Sequence, residues 1–186
     1  MQIAKDNKLY SEITKIIYTK AYEIFKNNNE KFSLNLSIDD IYDEEIVDLI
    51  NKLFVNSSLS KRLTFELLES EAIQDYKIVE NFITQTKKNG ITFAIDDFGS
   101  GYSNFAHILN LNIDFIKIDG SLIKNIDKDE NSKKIVKVIS TFAKETNIAI
   151  VAEYVENENI SNILKELGVE YFQGFYFYKP SANFVV

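Results

Sequence analysis

The 186-residue sequence contains no cysteine, a single proline and only six glycines. Without cysteine the chain can form neither a disulfide framework nor a thiolate metal site, which is compatible with a reducing compartment. The scarcity of proline and glycine argues against a disordered or linker-like chain. The sequence also lacks an apolar run of about 20 residues, so it predicts no membrane-spanning helix. The first residues show no signal-peptide pattern.

Basic residues are in the minority, and Arg62 is the only arginine, so the net charge is −7. A protein that binds DNA or RNA usually carries a basic patch, and the sequence has none. An acidic chain can still accept a phosphate compound if metal ions invert the local field. With 45% hydrophobic residues, including 14 Phe and ten Tyr, the composition predicts one globular domain over residues 1–186 with a substantial core.

Helical and strand-like runs alternate along the chain. Apolar residues recur with helical periodicity over 9–27, 43–55, 71–89, 132–146 and 157–167. The short β-type runs between them are Phe32–Ser37, Leu63–Leu68, Thr92–Asp97, Phe115–Asp119, Ala149–Glu153 and Tyr171–Phe175. This alternation predicts βαβ units and a parallel sheet.

Two apolar regions are predicted to lie in the core. The first helix should bury a face that carries Ile13, Ile16, Ile17, Ala21 and Ile24. The aromatic-rich run Tyr171–Tyr178 is interpreted as core rather than as a stacking platform.

Each predicted strand has a polar side chain on one face near its C-terminal end. Side chains alternate between faces along a strand, and this rule selects Asn35, Glu66, Asp96, Lys117 together with Asp119, Glu153 and Gln173. One interpretation is a half-exposed antiparallel sheet with a wet face. The intervening helices favour instead a parallel sheet covered on both faces. Polar groups at the C-terminal ends of parallel strands are typical of the active-site end of an α/β barrel.

Asp96 and Asp97 stand side by side where a buried strand ends. One of them could simply cap the following helix, but that does not explain the acids at the ends of the other strands. Oxygen ligands without cysteine suit Mg²⁺ or Mn²⁺, and adjacent carboxylates can serve a two-metal hydrolytic site. Lys117 could be a structural ion-pair partner, a group that orients or deprotonates water, or a Schiff-base amine. The glycine-containing run that follows is interpreted as a flexible loop over the site.

Six motifs, taken together, resemble the EAL domain family of bacterial cyclic di-GMP phosphodiesterases. They are N-L-S at 35–37, E-L-L-E at 66–69, D-D-F-G-S-G-Y-S at 96–103, I-K-I-D at 116–119, A-E-Y-V-E at 152–156 and Q-G-F at 173–175. The resemblance implies an α/β fold, a modified (β/α) barrel of the TIM type. It also implies two Mg²⁺ or Mn²⁺ ions and hydrolysis of cyclic di-GMP to linear pGpG. The activity would belong to bacterial signalling in the cytoplasm.

The resemblance also assigns roles to individual residues. The implied metal ligands are Asn35, Glu66, Asp96 and Asp97. Lys117 would bind the attacking water and assist its activation, and Asp119 would support Lys117 and the metal site. Glu153 would be a further metal-site carboxylate, counted with Lys117 and Asp119 among the catalytic residues. Gln173 would orient the water shell of the second metal. Glu69 would hold the regulatory loop, which is formed by Phe98, Gly99, Ser100, Gly101, Tyr102 and Ser103. In this family that loop couples metal binding to dimer contacts, so a homodimer and a fused sensor or GGDEF-type domain are implied partners besides cyclic di-GMP.

The sequence departs from the family pattern at its start. The E-A-L triplet is absent, and the segment that normally follows it begins here at Ile3. We therefore expect a partial domain, without the first two barrel strands, that forms an incomplete barrel of about six parallel strands. Tyr154 stands where the family usually has glycine, and Leu68 where it often has threonine.

Three functions remain open from the sequence. The first is a cyclic di-GMP phosphodiesterase that is impaired by loss of the EAL glutamate. The second is a non-catalytic cyclic di-GMP receptor or protein-interaction regulatory module. The third, a barrel lyase or aldolase with Lys117 as the amine, is disfavoured by the paired aspartates.

Overall fold

The structure is a computed structural model that describes residues 10–101 and 105–181. Its strands are β1 (Phe32–Asn35), β2 (Leu63–Leu68), β3 (Thr92–Phe98), β4 (Phe115–Ile118), β5 (Ala149–Ala152) and β6 (Tyr171–Phe172). Its α-helices are α1 (Tyr10–Phe25), α2 (Ile38–Tyr42), α3 (Glu44–Ile50), α4 (Tyr76–Lys87), α5 (Phe105–Leu111), α6 (Gly120–Ile123), α7 (Glu130–Thr146) and α8 (Glu158–Glu166). A π-helical turn at Asn51–Val55 and a 3₁₀ turn at Ser60–Arg62 lie between α3 and β2.

The six strands follow one another in the sheet in chain order, from β1 to β6. The pairs β1–β2, β4–β5 and β5–β6 are parallel, with Asn35 opposite Glu66 and Lys117 opposite Val151. Helices connect these strands, as parallel pairing requires. The predicted α/β class with about six parallel strands is therefore confirmed.

The described chain forms two compact units. The first runs to Ala94 and includes Asn110–Asn112. Its core is rich in aromatic rings, and Phe54 and Phe65 are fully buried there with ring centroids 6.4 Å apart. Phe65 also contacts Phe93 at 5.8 Å, so the start of β3 belongs to this core.

The second unit comprises Ile95–Leu109 and the chain from Ile113 onward. Ile116 and Ile118 of β4 are fully buried, and Lys117 between them is only 6% exposed, so both faces of this strand are covered. Val136 of α7 and Leu164 of α8 are also fully buried. Within the described residues, no helix combines the length and apolar character needed to cross a membrane.

The predicted buried face of α1 is wrong at three of its five residues. Ile16, Ile17 and Ile24 are about half exposed, and Ile13 is partly buried. Ala21 is buried as predicted, whereas the buried Tyr18 was not predicted. The Tyr18 hydroxyl donates a 3.0 Å hydrogen bond to the carbonyl oxygen of Asn35, and its ring packs against aromatic rings of the core. A buried tyrosine needs both a packing surface and a hydrogen-bond partner, and this position supplies both.

The prediction for the aromatic run near the C-terminus is also wrong. β6 ends at Phe172 and not at Phe175, because the chain turns at Gly174, whose carbonyl accepts hydrogen bonds from Phe177 and Tyr178. Side chains in this run are more than 40% exposed at Tyr171, Phe175, Tyr176, Phe177 and Tyr178. They are therefore not core.

The observed helices also differ from those that the periodicity predicts. The helix predicted from residue 71 begins at Tyr76, because the Asp75 side chain caps it by accepting hydrogen bonds from the backbone N–H groups of Lys77 and Ile78. The two short helices α2 and α6 were not predicted, since each is too short to show a periodicity.

Candidate functional site

Two adjacent carboxylates lie at the C-terminal end of β3. Alternation along a strand would place the side chains of Asp96 and Asp97 on opposite faces. The backbone of Asp97 instead adopts a left-handed conformation, with φ +56°. As a result, one carboxylate oxygen from each of Asp96, Asp97 and Glu153 lies within 4.8 Å of the others. We refer to these three residues as the acidic cluster.

Lys117 reaches this cluster from β4, the strand between β3 and β5. Its Nζ donates a hydrogen bond to Asp96 Oδ1 at 2.7 Å and lies 2.9 Å from Glu153 Oε1. All three side chains are at most 15% exposed. An ammonium at this depth requires carboxylate partners because its dehydration is costly. The strand-end positions predicted for these residues thus bring them together.

Asp119 lies beside the cluster and caps a helix. Its Oδ1 accepts a 2.9 Å hydrogen bond from the backbone N–H of Ser121, at the start of α6. Its own N–H donates to the carbonyl of Phe98 at 3.0 Å. Burial tends to raise the pKa of Asp119, but hydrogen bonds from Ser121 and Gly120 outweigh it and hold the pKa below the usual value. Asp119 therefore caps α6, a different helix from α5, the one that follows Asp96 and Asp97.

The cluster is an unfavourable place for negative charge. Burial raises the pKa of Asp97, and the charges of Asp96 and Asp119 raise it further. Burial also raises the pKa of Glu153, although Lys117 opposes that shift. A divalent cation would offset this repulsion, and hard oxygen donors are the ligands that such ions prefer. The donor set therefore fits a divalent metal ion.

A cavity of about 420 Å³ opens beside Glu153 in the second unit. Gln173 lines it and is held in place through its backbone, which donates to the carbonyl of Ala152 and accepts from the N–H of Val155. Tyr154, Lys124, Glu156 and Phe175 also line it. The cavity provides space for a ligand directly next to the acidic cluster.

The first unit holds the other predicted ligands. Asn35 ends β1 and faces Glu66 of β2 in the parallel register. The Asn35 side chain is exposed, while those of Glu66 and Glu69 are partly buried. The structure thus brings Asn35 and Glu66 together, as the strand-end rule predicts.

The predicted regulatory loop begins inside the second unit. Phe98 is fully buried and Gly99 has φ +93°, a conformation that L side chains rarely adopt. A Cβ on Gly99 would come within 2.5 Å of Leu122 Cδ1, so glycine is also required for space. Ser100 donates its N–H to the carbonyl of Asp97 at 3.2 Å. Gly101 is exposed, and Tyr102 and Ser103 lie outside the described residues.

The sequence did not predict one contact at the cavity. The ring of Tyr154 packs against Gly120, and the Nζ of Lys124 lies 4.1 Å from the ring centroid. Gly120 and Lys124 are four residues apart, which is a helical spacing, but no sequence signal connects them with Tyr154.

Comparisons with known proteins agree with this geometry. The sequence profile described as "EAL domain" matches residues 1–180. Cyclic di-GMP phosphodiesterase PdeA of Borreliella burgdorferi is 34% identical over 175 residues, which cover 91% of this chain and 26% of the relative. Cyclic di-GMP phosphodiesterase PdeF of Escherichia coli is 32% identical over 186 residues, which cover 97% of this chain and 25% of the relative.

A solved structure titled "PaMucR Phosphodiesterase, c-di-GMP complex" matches 96% of this chain and 75% of its own, with 27% identity and a TM-score of 0.84. This match confirms the predicted fold class, the α/β fold of EAL-type structures. The chain spans about a quarter of the length of the curated relatives it matches.

Proposed function

The chain belongs to the EAL domain family, and on that premise we propose that it carries the site of a metal-dependent cyclic di-GMP phosphodiesterase. The observation that carries the proposal is the acidic cluster of Asp96, Asp97 and Glu153, with the Lys117 ammonium between two of its members. Both the carboxylates and the lysine stand in the motifs that resemble the family.

The acidic cluster would hold a divalent metal ion, Mg²⁺ or Mn²⁺, through Asp96, Asp97 and Glu153. Asn35 and Glu66 are the further ligands implied by the family pattern, with Gln173 orienting metal-bound water. When bound, such ions polarise a phosphodiester and lower the pKa of a coordinated water. They would also supply the positive charge that lets an acidic protein accept an anionic dinucleotide.

The chain's own residues would act on the attacking water. Lys117 would hold that water and aim its oxygen at phosphorus, because its ammonium is fixed on both sides by Asp96 and Glu153. Attack on phosphorus breaks the P–O3′ bond, and the product is linear pGpG with a 5′-phosphate. Asp119 would act as a positioning residue, since it fixes the start of α6 and contacts Asp97. Glu69 would hold the loop that begins at Phe98.

A non-catalytic cyclic di-GMP receptor or regulatory module is the second candidate. The specific observation in its favour is Tyr154, which stands where the family usually has glycine, directly after Glu153 of the acidic cluster. A bulky ring at this position would crowd the metal site, which would impair catalysis more than binding of the nucleotide.

Further proposals concern the cellular setting. We place the chain in the bacterial cytoplasm, as a homodimer fused to a sensor or GGDEF-type domain. Exposed Ile135 and Val138 on α7, beside Phe98 and Gly99, offer an apolar surface for the dimer contact. Sedimentation velocity over a range of concentrations would test the dimer, and a strictly monomeric chain would contradict it.

The experiment that tests the function is incubation of the chain with cyclic di-GMP in Mg²⁺ and in Mn²⁺, with products separated by chromatography. Formation of pGpG that EDTA abolishes is the expected result. Calorimetric binding of cyclic di-GMP without any product would favour the receptor. The absence of both product formation and nucleotide binding would contradict both candidates.

A further inference from the structure

Tyr154 has a backbone conformation that is unusual for its residue type. Its φ is +52°, in the left-handed region where a bulky side chain is rarely found. The residue follows Glu153 of the acidic cluster directly, and its side chain is 50% exposed. Local strain of this kind is a reason to look for a function of the side chain that it presents.

One side of the Tyr154 ring is covered by α6. A Cβ added to Gly120 would lie 2.2 Å from Tyr154 Cδ2, so the ring rests closely on the glycine backbone. The Nζ of Lys124 lies 4.1 Å from the ring centroid, in cation–π geometry. Gly120 is the first residue of α6 and Lys124 is its C-cap, so both contacts to the ring come from this short helix and its end.

The ring also borders the cavity. Tyr154 lines the 420 Å³ cavity together with Lys124, Glu153, Gln173 and Phe175. The ring is therefore held by Gly120 and Lys124 while it borders space that a ligand can enter. Such a ring loses little conformational freedom when a flat group stacks on it, and pre-organisation of this kind favours binding.

We infer that Tyr154 is a stacking platform for a purine base of the dinucleotide substrate and that it determines which base the site accepts, an inference that rests on the proposed function. Every base offers a π-face that can stack on an aromatic ring, and a purine offers more area than a pyrimidine. Glu153 lies one residue away, so a stacked base would hold the adjoining phosphate near the acidic cluster.

The chain lacks tryptophan, which permits a direct test. Tyr154→Trp places a single indole at the platform, and a base stacked on an indole quenches its emission. Tyr171→Trp is the matched control, since Tyr171 is 53% exposed in the same unit but is not part of the cavity wall. Both variants are titrated, with Ca²⁺ in place of Mg²⁺ or Mn²⁺, with cyclic di-GMP and with cyclic di-UMP, which has the same phosphate ring but pyrimidine bases. Product analysis verifies that no turnover occurs under these conditions.

The expected result is saturable quenching of Tyr154→Trp by cyclic di-GMP, weak quenching by cyclic di-UMP and no change in Tyr171→Trp. In calorimetry, Tyr154→Gly should weaken cyclic di-GMP binding by about 5- to 150-fold, the loss expected for one stacked base. Glycine tolerates φ +52°, so this variant keeps the backbone, and a thermal melt verifies folding. Tyr154→Phe should bind like the wild type, because it retains the ring.

Suppose that the wild type binds cyclic di-GMP, that Tyr154→Gly binds it equally well and that the emission of Tyr154→Trp does not change. The inference that Tyr154 stacks on a base is then wrong, and the proposed function stands. Equal quenching by cyclic di-UMP would overturn the claim that Tyr154 discriminates between bases. If the wild type itself shows no binding, the proposed function fails and the inference fails with it.

Discussion

At the residue scale, Lys117 is held by two short contacts with carboxylates. Its ammonium is 2.7 Å from Asp96 Oδ1 and 2.9 Å from Glu153 Oε1, and all three side chains are buried. Lys117→Met keeps the aliphatic stem but leaves two carboxylates facing each other. Removing one partner of a buried ion pair usually costs about 3–5 kcal/mol. We expect a loss of unfolding free energy of that size at neutral pH, measured by urea denaturation.

The same variant should show a distinct dependence on pH. Loss of the ammonium raises the pKa of Glu153 further above its unfolded value, where burial has already raised it. A carboxyl whose pKa is raised by folding stabilises the protein below its unfolded pKa and loses that contribution as the pH rises through the folded pKa. The deficit of Lys117→Met should therefore shrink in mildly acidic buffer. An equal loss of unfolding free energy at neutral and at mildly acidic pH would show that the ion pair does not explain the loss. The control Lys128→Met, at an exposed position, should have little effect on stability at either pH.

Gly174 follows Gln173 and packs directly against the backbone after β5. A Cβ at this position would lie 2.3 Å from both the N and O atoms of Val155, and backbone atoms cannot move aside as a side chain can. Gly174→Ala should lower the unfolding free energy by about 3 kcal/mol, the upper range for overpacking.

Gly101→Ala is the control for this substitution, since an added Cβ there meets no atom of the described residues within 4 Å. Its stability should stay within about 0.5 kcal/mol of the wild type. Similar losses for the two variants in chemical denaturation would mean that the close approach of Gly174 to Val155 is not the cause.

At the scale of elements, α1 offers a test of which helix face is buried. Ile16 is 53% exposed, whereas Tyr18 is 1% exposed, packs against Phe54 and Phe65 and donates to the carbonyl of Asn35. Tyr18→Ala should cost about 3–5 kcal/mol, as expected for a large buried aromatic residue. Ile16→Ser should cost less than about 0.5 kcal/mol. The reverse order in thermal or urea unfolding would mean that the isoleucine face is the buried one.

The elements also show where sequence patterns succeed. β2 was predicted at its observed bounds because its buried and partly buried residues alternate. The prediction for β6 extends beyond the observed strand, because the pattern of aromatic residues does not indicate the turn at Gly174. The buried face of α1 was misjudged because isoleucine is more hydrophobic than tyrosine. The ring partners and the hydrogen bond that bury Tyr18 come from distant parts of the chain.

At the scale of the whole molecule, strand alternation predicted much of the candidate site. It selected Asp96, Lys117 and Glu153, which lie in contact in the second unit, and it selected Asn35 and Glu66, which are neighbours in the first. It could not explain Asp97, because that carboxylate joins the cluster only through a left-handed backbone. The contact of Tyr154 with Gly120 and Lys124 depends on the packing of α6, which no periodicity indicated.

The central claim is that the acidic cluster carries out metal-dependent hydrolysis of cyclic di-GMP. The most direct measurement is the initial rate of pGpG formation in Mn²⁺ by the wild type, Asp97→Asn and Asp127→Asn. Asp97 belongs to the acidic cluster, whereas Asp127→Asn is the same substitution at a residue outside the cluster. We predict pGpG formation by the wild type, a rate at least about 100-fold lower for Asp97→Asn and an unchanged rate for Asp127→Asn. Equal rates for wild type and Asp97→Asn, or no pGpG from the wild type, would contradict the account.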